Sequence, residues 1–285
     1  MSLLSEEHAE PIVAMGGPPW GALALVVVAL LALPLLGVLA RKIVPGEEDT
    51  RIHWGAPHIA VVVMATIAAM LLTGLFVSSD DSATKLLCAS AAALALPATL
   101  ATVFAAKFGP NGLAALGVRA GRLFRAPLAA LVLYVLIMPA MSALQFVWVW
   151  ILSLAGRETF EQPLIEILSK VPPDERLVPV VIGAVVQPLF EEILFRGFLQ
   201  PVLVRKLRPV GGIALTSLLF AGMHGVEGLA PIFALSCLLG YVMLRTQRLH
   251  AVWFIHAVHN GLQFLMLYVF PELLQRASQP NLITP

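Results

Sequence analysis

The sequence contains few charged residues and almost no cysteine. Only 12% of its 285 residues are Asp, Glu, Lys or Arg, whereas 59% are hydrophobic. Soluble domains carry about 25% charged residues, so this composition predicts an integral membrane protein without a separate soluble domain. Cys88 and Cys237 both lie in apolar runs, which excludes a disulfide framework and a cysteine-based zinc site. The net charge of +1 gives no indication of a nucleic-acid partner.

Long apolar runs make up most of the chain. They predict an all-α polytopic bundle of about eight spanning helices, forming a single membrane domain over residues 1–285. Because the first run is long and is followed rather than preceded by basic residues, it is predicted to be an uncleaved anchor. The runs cover about 19–40, 57–78, 84–106, 127–152, 177–204, 209–225, 229–246 and 251–270.

The lysines and arginines are distributed unevenly between the connections. Most of them follow the odd-numbered spans, and few follow the even-numbered ones. Under the positive-inside rule, this asymmetry places both termini outside the cytoplasm and the protein in the cytoplasmic (inner) membrane. The basic connection Asn111–Arg125 is interpreted either as an amphipathic helix on the membrane surface or as a plain loop.

Two adjacent glutamates and an arginine interrupt the fifth apolar run. Charged side chains at that depth cost several kcal/mol unless they are paired or hydrated. Glu192 and Arg196 are four residues apart on one helix face, so they are predicted to form a buried ion pair. Glu191 points roughly 100° away from Glu192 on an α-helix, and it is therefore the carboxylate left for chemistry.

Further polar residues lie inside the later spans, namely His224 in the sixth and His256, His259 and Asn260 in the eighth. At about 1.5 Å of rise per residue, Glu191, His224 and Asn260 lie roughly 15–22 Å from the cytoplasmic ends of their helices, and His256 about 9 Å. These depths allow them to meet in one polar pocket. His259 is interpreted as structural.

Such a pocket contains the groups that amide hydrolysis requires. A buried carboxylate can act as a general base on water, and a nearby histidine can orient that water or transfer a proton. His256 and Asn260 share a helix face, from which both can donate hydrogen bonds to a developing oxyanion. No nucleophile elbow indicates a covalent route.

The order and spacing of these residues resemble the CPBP (Abi) family of CAAX prenyl-protease-like intramembrane proteases. Three short motifs carry the resemblance, over about residues 177–265: Glu191-Glu192-x-x-x-Arg196, Phe220-x-x-x-His224 and His256-x-x-x-Asn260. The resemblance implies an eight-helix intramembrane glutamic endopeptidase that needs no cofactor.

By the same resemblance, each motif residue has an implied role. Glu191 would activate water with the help of His224, while Glu192 and Arg196 would support the site. His256 and Asn260 would form the oxyanion hole. The expected substrate is a membrane-associated protein or peptide in the lipid bilayer.

Two other interpretations of the same residues remain open. A zinc-dependent protease would use Glu191, His224 and His256 as ligands, although the sequence has no His-Glu-x-x-His motif. A membrane transporter or scaffold would instead use the glutamates and histidines as a proton relay, but no inverted repeat supports this alternative.

Overall fold

The computed structural model describes residues 19–43, 52–78, 81–109, 111–119, 121, 123–157, 168–169 and 171–270. Within these ranges the regular elements are helices, because backbone polar groups in a membrane need hydrogen bonds from within their own segment. The first four long helices are α1 (Trp20–Ile43), α2 (Ala56–Gly74), α3 (Ala83–Phe108) and α4 (Arg125–Leu154).

The site-bearing helix, α5 (residues 177–199), alternates between two helical geometries. It has α-helical hydrogen bonding at Leu177–Val181 and Gln187–Glu192, and π-helical hydrogen bonding at Ile182–Val186 and Ile193–Leu199. It continues into α6 (Gln200–Gly222), which is followed by α7 (Leu229–Thr246) and α8 (Leu249–Val269). Short π-helical insertions are rare and often occur at functional sites.

The chain reverses direction inside α6. Arg208 has non-helical backbone angles (φ 63°, ψ 168°) and is followed by Pro209, which cannot donate to the preceding turn. After the reversal, Gly212 packs directly against Val204, where a Cβ atom would lie 2.5 Å from the backbone nitrogen and Cα. The result is a tight helical hairpin, and the sequence predicted a break at this position.

The described helices confirm the predicted polytopic bundle. Six continuous helical regions are long and apolar enough to cross a membrane. One of these, Pro173–Gly222, contains the reversal at Arg208 and therefore provides two of the predicted spans. Together with α1, which has 24 residues, the described part of the chain provides eight helices in the predicted places.

Three apolar clusters lie among the described residues, and the two larger ones surround the polar residues of α5. One joins α1, α4, α7 and α8 around residues such as Tyr134 and Leu239. The other joins α2, α3, α5 and α6 around Trp54, Phe198 and Phe220. The Trp54 indole also donates a 2.9 Å hydrogen bond to the Phe198 carbonyl. The polar side chains of α5 lie where these two clusters meet.

The described residues of the connection between α3 and α4 do not form an amphipathic helix. They form only a short 3₁₀ helix, Gly112–Leu116, followed by Gly117 with a φ of 86°. A left-handed residue ends the helix, and the Gly117 carbonyl accepts a 3.0 Å hydrogen bond from the Leu249 amide. The loop interpretation is therefore correct, and the loop packs against the start of α8.

Candidate active site

Glu192 lies at the centre of a fully buried polar cluster. Its Oε1 atom accepts a 2.8 Å hydrogen bond from Arg196 Nη1, which confirms the predicted ion pair. The same oxygen lies 2.7 Å from Nδ1 of His256 on α8. Because a carboxylate oxygen accepts, His256 donates from Nδ1, and the neutral ring then carries its lone pair on Nε2.

Arg196 is held by contacts on three sides. Besides Glu192, its Nη2 donates a 2.7 Å hydrogen bond to Ser236 Oγ on α7. Its guanidinium carbon lies 4.4 Å from the centre of the Phe220 ring, which is a cation–π contact. Arg196 and Glu192 are both completely buried, so together they stabilise the packing of α5 against α6, α7 and α8.

Glu191 has fewer partners than Glu192. Its Oε1 atom accepts a 3.2 Å hydrogen bond from Gln187 Nε2, one turn earlier on α5. Its Oε2 atom lies 3.7 Å from His256 Nε2, beyond a direct hydrogen bond. In contrast to Glu192, Glu191 borders an open cavity of about 380 Å³ between α2, α3, α5 and α6. This carboxylate is therefore the one that water can reach.

His224 borders the same cavity at the end of α6. Its Nδ1 atom lies 2.8 Å from the carbonyl oxygen of Phe220, and since a carbonyl only accepts, this nitrogen carries the proton. In the neutral ring, Nε2 is then a lone-pair acceptor. His224 is therefore able to accept a hydrogen bond from, or take a proton from, a water molecule in the cavity.

Glu191, Glu192, Arg196 and His256 form one group of ionisable side chains in the interior of the bundle. Buried ions are costly unless they are paired. Arg196 pairs directly with Glu192, and His256 lies between the two glutamates, 2.7 Å from Glu192 Oε1 and 3.7 Å from Glu191 Oε2.

Asn260 does not join this cluster directly. Its side-chain Nδ2 donates a 2.9 Å hydrogen bond to the carbonyl of Gly183, in the first π-helical stretch of α5. This bond fastens α8 to α5. One of the two amide hydrogens of Asn260 is thus already used, and its predicted place in an oxyanion hole stays a prediction.

His259, three residues after His256, belongs to a separate polar group with Tyr134 and Gln263. Its Nδ1 atom lies 3.0 Å from the hydroxyl of Tyr134 on α4. Its Nε2 atom lies 2.8 Å from Gln263 Nε2. Both ring nitrogens therefore have partners, in agreement with the structural interpretation made from the sequence.

The zinc interpretation requires three clustered ligands. Among the residues that the structure describes, no group of three or more His, Cys, Asp or Glu side chains has a metal-binding arrangement. The contact of His256 Nδ1 with Glu192 leaves Nε2 facing Glu191, so it does not decide against a metal. The zinc alternative stays a prediction.

Sequence reasoning missed two residues of the site. Gln187 hydrogen-bonds to Glu191 and borders the cavity. It lies four residues before Glu191, so helix periodicity could have indicated that the two side chains share a helix face. Ser236 accepts from Arg196 across 40 residues of sequence. No pattern in the sequence indicates that contact, because it depends on how α7 is rotated against α5.

Part of the chain matches a known protein family. Residues 173–262 match the family model Rce1-like, described as Type II CAAX prenyl endopeptidase Rce1-like. The matched region contains every predicted site residue from Glu191 to Asn260, and it confirms the resemblance stated from the sequence. No curated protein and no solved structure matches the chain. The Rce1-like match supports a membrane peptidase with a membrane-associated peptide substrate.

Proposed function

We propose that this protein is an intramembrane endopeptidase that hydrolyses a peptide bond in a membrane-associated protein or peptide. The observation that carries the proposal is the difference between the two adjacent glutamates. Glu192 is enclosed by Arg196 and His256, whereas Glu191 borders the cavity together with His224. An ion pair that served only helix packing would not need a second carboxylate beside water.

In the proposed reaction, Glu191 takes a proton from a water molecule in the cavity while the water oxygen bonds to the scissile carbonyl carbon. The Nε2 atom of His224 accepts a hydrogen bond from the other O–H of that water and so orients the molecule. The tetrahedral intermediate then collapses as its C–N bond breaks, and the leaving amine takes the proton held by Glu191. The products are a carboxylic acid and an amine, so the atoms of water are accounted for.

The remaining residues set up this chemistry. Glu192 fixes the ring of His256 through Nδ1, and His256 in turn presents Nε2 next to Glu191. With a proton on Nε2 as well, His256 would donate a hydrogen bond to a developing oxyanion. Asn260 would contribute its second amide hydrogen, as the family resemblance implies.

The test is cleavage of a co-expressed panel of candidate membrane substrates by wild type, Glu191→Ala and His256→Ala. Each is measured with and without a zinc chelator. Loss of cleavage in both variants, with wild type unaffected by the chelator, is the expected result. Loss on chelation that zinc restores would replace this mechanism with the zinc-dependent one, and full activity of Glu191→Ala would contradict it.

A further inference from the structure

The cavity beside Glu191 is open, and most of the residues that line it lie at one end of the bundle. The residues that line it belong to the last turn of α2, the first three turns of α3 and the end of α6, which all lie at this end. Only α5 contributes from mid-helix, since Glu191 lies 14 residues after Leu177, roughly 21 Å along the axis. Near the opening, Met223 is 52% exposed and Met70 is 43% exposed.

The described lysines and arginines concentrate at the opposite end. Side-chain contacts join the connections there: Arg205 Nη1 donates to the Ile52 carbonyl (2.8 Å), and Arg248 Nη1 donates to the Arg119 carbonyl (3.2 Å). Among the described residues this end has no Asp or Glu. Its basic residues are Arg41, Lys42, Lys107, Arg119, Arg125, Arg205, Lys206, Arg208, Arg245 and Arg248.

The end with the cavity opening has a nearly balanced charge. Its described acidic residues are Asp81, Asp174, Glu175 and Glu227, and its described basic residues are Lys85, Arg157 and Arg176. Two of these cations are paired, Lys85 with Asp81 at 2.8 Å and Arg157 with Glu227 at 2.9 Å. This end therefore lacks the excess of positive charge that retains a connection in the cytoplasm.

The cavity lining also restricts the kind of peptide that fits. Among the described residues that line the cavity, most are apolar, Glu191 is the charged residue, and none is Lys or Arg. A peptide's terminal carboxylate would meet no cation among these residues and would approach the Glu191 carboxylate. An internal, uncharged stretch of chain next to a membrane anchor fits this lining better.

From these observations we infer that the site is loaded from the extracytoplasmic side and cleaves an internal, uncharged juxtamembrane segment on that side. The positive-inside rule assigns the basic end to the cytoplasm, so the opening at the opposite end faces outward. This inference rests on the proposed peptidase function for its substrate. The orientation of the cavity, however, is measurable without any activity.

The first experiment measures orientation by thiol labelling in a Cys88→Ser, Cys237→Ala background. Met223→Cys places a thiol at the opening, and Leu207→Cys is its matched control beside Arg208, with a similar exposure of 46%. A membrane-impermeant thiol reagent is applied to right-side-out vesicles and then to disrupted ones. We expect Met223→Cys to label in both preparations and Leu207→Cys only after disruption. The reverse pattern would overturn the inference.

The second experiment measures cleavage of paired single-span reporters. The same uncharged juxtamembrane segment is placed on the extracytoplasmic side of the membrane in the outer reporter and on the cytoplasmic side in the inner reporter. Only the outer reporter should be cut. Treating the Met223→Cys variant from outside with the impermeant thiol reagent should lower this cleavage at least tenfold. The same treatment should leave the activity of the Cys88→Ser, Cys237→Ala background protein unchanged. Cleavage of the inner reporter alone would refute the inference but leave the peptidase proposal standing. Outward labelling without cleavage of either reporter would count against the peptidase proposal instead.

Discussion

Glu192 and His256 lie 2.7 Å apart, joined through the oxygen that also accepts from Arg196. This contact connects the fifth and eighth helices inside the membrane and fixes which nitrogen of His256 faces Glu191. It gives the two adjacent glutamates different surroundings, one closed and one beside a cavity. Residues that hold this arrangement and residues that act in it should therefore respond differently to substitution.

Ser236 is expected to stabilise the cluster by accepting from Arg196. Ser236→Ala leaves one guanidinium N–H without its partner in a fully buried place, so we expect a loss of about 1.5–3 kcal/mol in the free energy of unfolding. Denaturant titration in detergent measures it. Ser153→Ala is the matched control, because Ser153 bonds only within its own helix, to the carbonyl of Trp150. Equal stability of the two variants would show that the Arg196 contact contributes nothing.

Asn260→Ala tests the implied oxyanion role. If its amide stabilises the transition state, turnover should fall by roughly 10²–10³ while KM changes little. The variant also loses the bond to the Gly183 carbonyl, so its melting temperature is measured alongside. A lower melting temperature with unchanged kcat would mean that Asn260 only fastens α8 to α5.

Gly212→Ala tests the hairpin that returns α6 towards α5. A Cβ at this position would lie 2.5 Å from the Val204 backbone, which cannot move aside as a flexible side chain does. We expect about 1–3 kcal/mol of destabilisation, and lower activity because the hairpin positions His224. Gly222→Ala, where no atom lies within 4 Å of the new methyl, is the control. Wild-type melting of Gly212→Ala would contradict the packing described for the hairpin.

Tyr134→Phe tests whether His259 is structural. The change removes the hydroxyl 3.0 Å from His259 Nδ1 and should cost about 1 kcal/mol of stability, with turnover unchanged. Thermal melting and a cleavage assay on the same preparation give both values. A large loss of turnover at wild-type stability would instead make His259 part of the reaction.

The sequence was sufficient for features that depend on local composition and spacing. Apolar length defined the spans, and the gap between the apolar runs that end at 204 and begin at 209 located the reversal, because the basic residues there oppose a continuous span. The Glu192–Arg196 pair followed from four-residue spacing alone. Each of these properties is set within a few turns of one helix.

Features that depend on packing between helices could not be predicted in the same way. The contact of His256 with Glu192 depends on how α8 is rotated about its axis. The hydrogen bond from Asn260 to Gly183 depends on a π-helical stretch that no residue pattern indicated. The interpretation of 111–125 as an amphipathic helix was wrong because the glycines at 112, 117 and 121 have positive φ values, which interrupt a helix. Their effect on the backbone outweighed the alternation of apolar and basic side chains.

The most direct measurement compares Glu191→Gln with Glu192→Gln, recording cleavage and unfolding free energy for both. Glu191→Gln should abolish cleavage and keep nearly wild-type stability, because it removes the proposed base but leaves the Arg196 ion pair. Glu192→Gln should lose about 3–5 kcal/mol, since it leaves the Arg196 charge uncompensated in a buried place. A stable but inactive Glu192→Gln beside a fully active Glu191→Gln would reverse the two roles and contradict the account.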